Sequence, residues 1–247
     1  MQSEKFLICI PTYNEEKNIG PLIDDLMQLP INCVVAIVDD NSQDKTKYVV
    51  EDVINKYSAS RVRLCVRSTD RGRGSAVWHG FATFFDEGFD YFVEMDADFS
   101  HSPIDLLGGV QLVCPSVGLL IGSRYNKGKI EGWPVKRRIL SLSANLLARV
   151  LIDFKIKDYT NGYRIYSSKT VELIKAVGLE NEGFIALSET IAICLANGVK
   201  VLEFPIRFKD RSKGSSSANF QEVFRSFINI FKIAFHYHKG RFKKVSN

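Results

Sequence analysis

Apolar residues in the first half of the chain form short runs that alternate with stretches of helical periodicity. The runs are almost continuously apolar, and they predict strands over residues 6–10, 33–38, 62–66, 91–95 and 118–122. The stretches between them predict helices over residues 17–28, 44–57, 75–87 and 103–113. Apolar strands that alternate with helices are typical of an α/β protein in which helices cover both faces of a mostly parallel sheet.

The second half of the chain has a different pattern. After a loop rich in glycine and lysine, it predicts an amphipathic helix over 137–151, a loop over 158–164, a helix over 186–197 and a strand over 199–205. A segment rich in serine, glycine and lysine then leads to a last helix over 220–237. We therefore expect one catalytic domain over 1–219, and a C-terminal amphipathic helix with a basic tail over 220–247.

Composition narrows the class of protein. The net charge of +5 is too small a bias to indicate a nucleic-acid partner. The five cysteines form no CxxC pair and no Cys/His cluster, so they predict neither zinc nor disulfides, and reduced thiols fit a cytoplasmic protein. No secretory signal and no apolar run of the ~20 residues that a membrane span needs is visible. We expect a protein that is cytoplasmic and at most peripheral on the cytosolic face of a membrane.

Polar clusters follow the predicted strands. The carboxyl ends of parallel strands meet at one edge of a sheet, where ligands bind in open α/β folds. We therefore expect one rim to collect the clusters at 11–15, 39–42, 70–74, 96–98 and 123–125.

Asp96 and Asp98 are the strongest candidates for chemistry. Two carboxylates one residue apart, at the end of a strand, can reach one Mg²⁺ or Mn²⁺ ion and leave positions open for a diphosphate. Such a metal would offset charge that develops on a nucleoside diphosphate leaving group. An isolated pair of this kind is more often a solvated acidic turn. The preceding strand and the neighbouring clusters favour the metal site here.

Other clusters leave alternatives open. Asp40 could accept from a nucleobase or a ribose, or Asp40 or Ser42 could cap the next helix. Tyr13 could stack on a base, or its cluster could be only a loop before a helix. The glycines at 72 and 74 could hold a diphosphate or only begin a helix.

Seven motifs in order carry a resemblance to a known family. They are PTYNE (11–15), VDDNS (38–42), GRG (72–74), DADFSH (96–101), GSRY (122–125), TNGYR (160–164) and a last set spread over 205–214. The chain resembles the family 2 glycosyltransferases of GT-A fold, and among them the dolichol-phosphate and polyprenol-phosphate mannose synthases, from about Phe6 to Ala218. The resemblance implies a Rossmann-like, mostly parallel twisted sheet.

The same resemblance implies roles for individual residues. Nucleotide binding would fall to Pro11, Tyr13, Glu15, Val38 and Asp40. Asp96, Ala97 and Asp98 would bind the metal and the donor diphosphate, with both aspartates as metal ligands. Asp98, Arg124 and Arg211 would be catalytic, the two arginines by handling phosphate. Arg137 or Arg138, and Ser141, would lie near the acceptor.

The implied reaction is the inverting, metal-dependent transfer of a hexose to a polyprenyl or dolichyl phosphate, with mannose from GDP-mannose as the first candidate. Two positions depart from the pattern: Ser217 stands where relatives often have a lysine that contacts the donor, and Ser100 where some have a glutamine near the metal.

A phosphate acceptor also agrees with the residues. A phosphate monoester is largely dianionic at neutral pH, so it needs arginines to hold it rather than a general base. Basic residues are available at the predicted rim, although about half of such a set are ordinary surface charges: they are Arg124, Lys136, Arg137, Arg138, Arg164 and Arg211. If the acceptor were a hydroxyl, Glu189 would be the candidate base, unless it only pairs with a neighbouring lysine or arginine.

The last helix suggests a membrane surface. Five phenylalanines fall on one face, and basic residues repeat along its flank: Phe220, Phe224, Phe227, Phe231 and Phe235, with Arg225, Lys232 and Lys239. Aromatic side chains beside bases suit anionic lipid, whereas core packing is the alternative, which we favour for the first two turns. An additional membrane-anchoring subunit is compatible with this pattern.

Two other functions stay open at this point. One is a glycosyltransferase of the same fold that uses a saccharide or protein hydroxyl as acceptor. The other is a catalytically silent nucleotide-sugar-binding subunit, to which only Ser217 points. A nucleotidyltransferase would be expected to carry its glycine-rich loop directly after the first strand, where this chain has PTYNE.

Overall fold

The computed structural model describes residues 4–68, 72–181, 183–210 and 220–244, and for 184 and 220–227 it describes the backbone only. The strands are β1 (Phe6–Thr12), β2 (Cys33–Asp39), β3 (Val62–Val66), β4 (Tyr91–Glu94), β5 (Leu119–Ser123), β6 (Lys129–Glu131), β7 (Arg164–Ser167), β8 (Val201–Pro205) and β9 (Arg207–Lys209). The helices are α1 (Ile19–Met27), α2 (Thr46–Tyr57), α3 (Arg73–Thr83), α4 (Leu106–Val110), α5 (Val135–Leu151), α6 (Ser168–Val177), α7 (Ala186–Ala196) and α8 (Phe220–His238).

Seven strands form one sheet in the order β3-β2-β1-β4-β7-β5-β8. Every pairing in it is parallel except the two that β7 makes. All seven residues of β2 are buried, because apolar side chains on both of its faces enter two separate core clusters. The expected α/β fold with a mostly parallel sheet and helices on both faces is confirmed.

The sequence analysis missed β7, α6 and the small β6–β9 sheet. β7 is four residues long and begins with Arg164, so it lacks the continuous apolar run that predicts a buried strand. Because it runs antiparallel between β4 and β5, its start lies at the same rim as the ends of its neighbours. The TNGYR motif therefore lies at the same rim as the other motifs, although it precedes its strand and they follow theirs.

α8 packs against α5 and α7. Its inner side chains Ile230, Ile233 and Ala234 are buried in the core cluster that also holds α3 and α7. None of the helices within the described ranges combines the length and the apolarity that crossing a bilayer requires.

Candidate active site

Asp39 organises the rim where β1 and β2 end. Its carboxylate accepts from Thr12 Oγ1 at 2.8 Å, from Ser42 Oγ at 2.6 Å and from Ser42 N at 2.8 Å. Asn14 and Asn41 adopt left-handed backbone conformations (φ 58° and 57°), which reverse the chain after each strand. The loop that carries the predicted nucleotide residues is therefore built by Asp39 and by asparagines that the sequence analysis did not single out.

The predicted nucleotide-binding residues lie around this loop. Tyr13 has a half-exposed ring. Glu15 Oε2 accepts from Asn18 Nδ2 at 2.8 Å. The Val38 side chain is fully buried in the core, so only its main chain is available to a ligand, and Pro11 is paired with it in the sheet.

Asp40 ties the end of β2 to the start of α3. Its Oδ1 accepts from Arg67 Nε at 2.8 Å and from Nη2, and its Oδ2 accepts from Gly72 N at 2.8 Å. The helix-capping alternative for Asp40 and Ser42 is wrong, because Asp44 instead accepts from Thr46 at the start of α2. Arg67, which directly follows β3, was missed; its signal was its place next to the end of β2 in a parallel sheet.

The Asp96 carboxylate forms an ion pair with Arg73, which it shares with Glu94. Arg73 Nε donates to Asp96 Oδ1 at 2.6 Å, and the same guanidinium donates to Glu94 Oε1. Burial alone would lower the pKa of Arg73, but the adjacent Asp96 and Glu94 carboxylates raise it, so the guanidinium stays charged. The glycine-rich turn at 72–74 thus supplies a side chain that contacts the predicted metal site, in addition to beginning a helix.

His101 holds the main chain of the same segment. Asp96 N donates to His101 Nδ1 at 3.0 Å, so Nδ1 is unprotonated and Nε2–H donates to Asn161 Oδ1 at 2.9 Å. Asn161 Nδ2 in turn donates to Gly122 O. Burial lowers the pKa of His101, which agrees with a neutral ring. This chain of hydrogen bonds links the DADFSH, TNGYR and GSRY motifs.

Asp98 and Ser100 complete the segment. Ala97 is buried between the aspartates, Asp98 is 5% exposed, and its Oδ1 accepts from Ser100 N at 3.0 Å. Ser100 Oγ is buried and has no hydrogen-bond partner within the described part of the chain. A buried hydroxyl without a partner is costly, so an oxygen-binding cation beside it is a reasonable complement.

The donor set fits a divalent cation that is shared with a substrate. In the described ranges no three His, Cys, Asp or Glu side chains form a ready-made metal cluster. Mg²⁺ is commonly bound by one or two carboxylates together with substrate phosphates and water, and Asp96 and Asp98 provide two carboxylates.

Arg124 is held at the rim by three side-chain hydrogen bonds. Its Nε and Nη2 donate to the two oxygens of Asp158 at 2.8 and 2.7 Å, and Nη2 also donates to Thr160 Oγ1 at 2.6 Å. Asp158 is fully buried, which opposes ionisation, but Arg124 and nearby backbone donors hold the pKa of that carboxyl below its usual value. The pair therefore stays ionised and fixes the orientation of the arginine.

The predicted acceptor residues lie next to Arg124. The guanidinium carbons of Arg124 and Arg137 lie 5.3 and 4.2 Å from the Trp133 ring centre, and Arg137 Nη1 donates to Asp210 at 2.6 Å. Ser141 Oγ accepts from Tyr125 OH at 2.7 Å. Arg138, the next residue on α5, is exposed and donates to Ile130 O at 3.0 Å.

Two residues weighed in the sequence analysis have structural contacts instead. Arg164 was counted among the rim cations, but it is fully buried and donates to the carbonyls of Asn161, Leu187 and Tyr159. Glu189 is also buried, and it accepts from the main chain of Glu180 and Asn181 rather than from a lysine or arginine. Arg211 and Ser217 lie outside the described residues, so what the sequence predicts for them stays a prediction.

The fold and the rim define a protein of the GT-A class, and comparison with known proteins agrees. The family model for "Glycosyl transferase family 2" matches residues 7–174. The chain therefore belongs to glycosyl transferase family 2 and is a glycosyltransferase.

Curated relatives match most of the chain. It is 32% identical over 233 residues to the polyprenol monophosphomannose synthase of Mycolicibacterium smegmatis, covering 94% of this chain and 86% of that protein. It is 31% identical to the undecaprenyl-phosphate mannosyltransferase of Micrococcus luteus, covering 92% of each. It is also 31% identical to the dolichol-phosphate mannosyltransferase of Pyrococcus furiosus, where the match covers 93% of this chain and 63% of that protein.

Among solved structures, the glucosyl-3-phosphoglycerate synthase of Mycobacterium tuberculosis, crystallised with Mn²⁺, UDP-glucose and phosphoglyceric acid, matches with a TM-score of 0.68. The match covers 94% of this chain and 80% of the other, at 16% identity. This likeness establishes the fold, and that structure shows that the fold can hold a divalent metal.

Proposed function

We propose that this protein transfers mannose from GDP-mannose to a polyprenyl or dolichyl phosphate, with inversion and with a divalent metal. The named activities of the three curated relatives support both the sugar and the lipid phosphate. We retain residues 1–219 as the proposed catalytic domain and 220–247 as the proposed membrane-facing segment.

The observation that carries the proposal is the constrained arginine beside the carboxylate segment. Asp158 and Thr160 hold Arg124 by Nε and Nη2, and the structure gives its Nη1 no hydrogen-bond partner in the described ranges. A guanidinium that is oriented on one side and keeps donors on the other suits an anionic group. Arg137, on the same Trp133 ring, adds a second cation, as an incoming phosphate requires.

Each predicted residue has a part in the proposed reaction. Pro11, Tyr13, Glu15, Asp40 and the main chain of Val38 would bind the nucleoside. Asp96 and Asp98 would hold the metal, which when bound would offset the charge of the leaving diphosphate. Arg124 and Arg211 would hold phosphate, and Arg137, Arg138 and Ser141 would position the acceptor, whose own charge makes it the nucleophile.

Glu189 gives little support to a hydroxyl acceptor. Its two carboxylate oxygens accept from Glu180 N at 2.9 Å, Asn181 N at 3.0 Å and Asn181 Nδ2 at 3.0 Å. Burial raises the pKa of Glu189 above the usual value of a glutamate, and these donors offset only part of that rise. A carboxylate engaged in this way anchors a loop, which leaves the arginine-lined phosphate site as the better-supported acceptor site.

Exposed apolar residues support contact with a membrane surface, for which we propose the cytosolic side. α8 leaves Ile228, Phe231 and Phe235 exposed, although its opposite face is buried. α5, which begins beside Arg137, exposes a second apolar row at helical spacing: Val135, Ile139, Leu142, Leu146 and Val150. Basic residues lie on both helices, which suits a surface of anionic lipid. Because α5 begins beside Arg137, the proposed acceptor site would lie close to a membrane that holds the lipid phosphate. A membrane-anchoring subunit could share this surface.

The test is an assay with labelled GDP-mannose, UDP-glucose and GDP-glucose, a short polyprenyl phosphate and Mn²⁺ or Mg²⁺. We expect organic-extractable label from GDP-mannose, and loss of at least about a hundredfold in turnover for Asp98→Asn. Label on a water-soluble glycan would instead support a hydroxyl acceptor, and nucleotide binding without turnover would support a silent subunit. Full activity of Asp98→Asn, or of the protein in EDTA, would contradict the metal role.

A further inference from the structure

Arg73 lies among three acceptors from two separate segments of the chain, residues 94–96 and Gly162. Besides Asp96 Oδ1 at 2.6 Å and Glu94 Oε1, its guanidinium donates from Nη2 to Gly162 O at 3.1 Å. Its side chain is 14% exposed and that of Glu94 is 3% exposed. The arginine is therefore a fixed cation in direct contact with one of the two proposed metal ligands.

Glu94 and Asp96 share the positive charge of Arg73. Glu94 has a second, neutral donor, because Tyr166 OH donates to its Oε2 at 3.0 Å. Arg73 forms an ion pair with both Glu94 and Asp96. Taken together, Arg73, Glu94, Asp96 and Asp98 carry a formal charge of −2 (one positive and three negative groups), which a single divalent cation would balance.

We propose that Arg73 is an internal counter-cation that competes with the divalent metal for Asp96 and so makes metal binding depend on the donor diphosphate. The inference rests on the proposed function, because it takes Asp96 and Asp98 as the metal ligands. Without nucleotide, a metal ion approaching Asp96 meets the repulsion of the guanidinium. The negative diphosphate offsets that repulsion, so the metal and the donor bind as a pair.

Glu94 sets the strength of this competition. It shares the guanidinium with Asp96, so removing the charge of Glu94 leaves the positive charge of Arg73 to act on Asp96 alone. Removing Arg73 by itself would strand a buried carboxylate and endanger folding. The charge-balanced change Arg73→Met/Glu94→Gln keeps the formal charge of the group at −2 while it removes the competing cation together with the charge of Glu94, and glutamine keeps an acceptor for Tyr166.

The experiment is a titration of the full chain with Mn²⁺, followed by electron paramagnetic resonance of the free ion, with and without GDP. Without GDP, we expect Glu94→Gln to bind Mn²⁺ at least about fivefold more weakly than the unmodified protein, and Arg73→Met/Glu94→Gln to bind at least about fivefold more tightly. The factor by which GDP strengthens Mn²⁺ binding should shrink in the double variant. Arg63→Met/Glu87→Gln removes a partly exposed ion pair of 3.2 Å with the same substitutions and should leave Mn²⁺ binding unchanged.

Unfolding temperatures and circular dichroism establish that each variant is folded. A folded double variant that binds Mn²⁺ as the unmodified protein does, with the same dependence on GDP, overturns the role of Arg73. The proposed function then stands as long as Asp98→Asn still abolishes the Mn²⁺ binding that GDP supports. If Asp98→Asn leaves that binding intact, the metal assignment fails and both proposals are overturned.

Discussion

Gly162 leaves room for the guanidinium of Arg73. A Cβ atom at Gly162 would lie 2.0 Å from Arg73 Nη2, although the same nitrogen donates to Gly162 O. The arginine thus fills a space that any other residue at this position would take. The glycine of the TNGYR motif and the arginine between the glycines of the GRG motif are therefore one structural unit.

Replacing Gly162 by alanine should displace Arg73 from Asp96. We expect a loss of about 1–3 kcal/mol in the free energy of unfolding, because the added methyl group forces a packed side chain to move. Mannosyl transfer should fall at least about tenfold, because Asp96 loses its contact on one side. Denaturant unfolding and initial rates measure the two effects. Gly108→Ala is the control, since its Cβ would have no neighbour closer than 4.0 Å.

Asp158→Asn should destabilise the fold and weaken the acceptor site together. It leaves the buried Arg124 without an anionic partner, which costs about 3 kcal/mol at neutral pH. Lys56→Met, which breaks an exposed ion pair with Asp24, should cost well under 1 kcal/mol. If the two variants unfold at the same denaturant concentration, the buried pair contributes nothing to stability.

The same pair predicts a pH dependence. The folded-state pKa of Asp158 is below its unfolded value of about 3.9, so its stabilisation is present above pH 4 and is lost as the pH falls through the folded pKa. The difference in unfolding free energy between the unmodified protein and Asp158→Asn should therefore shrink below pH 4. A difference that stays constant from pH 7 to pH 3 would contradict the depressed pKa.

Glu189→Gln separates the two acceptor classes. Loss of a general base costs 10²–10⁴-fold in rate. If the acceptor is a phosphate, the glutamine should retain turnover to within about tenfold, because it disturbs only the hydrogen bonds to residues 180 and 181. A larger fall in kcat at unchanged stability would favour a hydroxyl acceptor and a base at this position.

Charged substitutions should weaken liposome binding from two helices. Burial of one large apolar side chain is worth roughly 1.5–3 kcal/mol, so Phe231→Glu on α8 and Leu146→Glu on α5 should each lower partition to anionic vesicles at least about tenfold. Nucleotide binding should persist. Tyr48→Glu, at an exposed position of α2, is the control, and sedimentation with vesicles measures the result. Unchanged partition of both glutamate variants would contradict the membrane surface.

The class of fold and the positions of the five polar clusters follow from the local pattern of residues along the chain. Apolar runs such as β2 are nearly continuous, and they can be recognised without knowing which distant residues they contact. Because parallel strands end at one rim, the strand pattern also predicts that Asp40, Asp96 and Arg124 lie at the same edge of the sheet. Family resemblance added roles for these residues, and the family is confirmed.

The surroundings of the aspartates at the site depend on contacts between distant parts of the folded chain. β7 is too short and too polar at its start to be recognised from local pattern, yet it enters the centre of the sheet and carries Gly162 to Arg73. The same holds for Asp158, which reaches Arg124 across 34 positions of sequence. An ion pair between distant residues leaves no periodic pattern in the sequence. The sequence therefore identifies Asp96 and Asp98 as two neighbouring carboxylates. That Arg73 and His101 hold this segment in place is seen only in the folded chain.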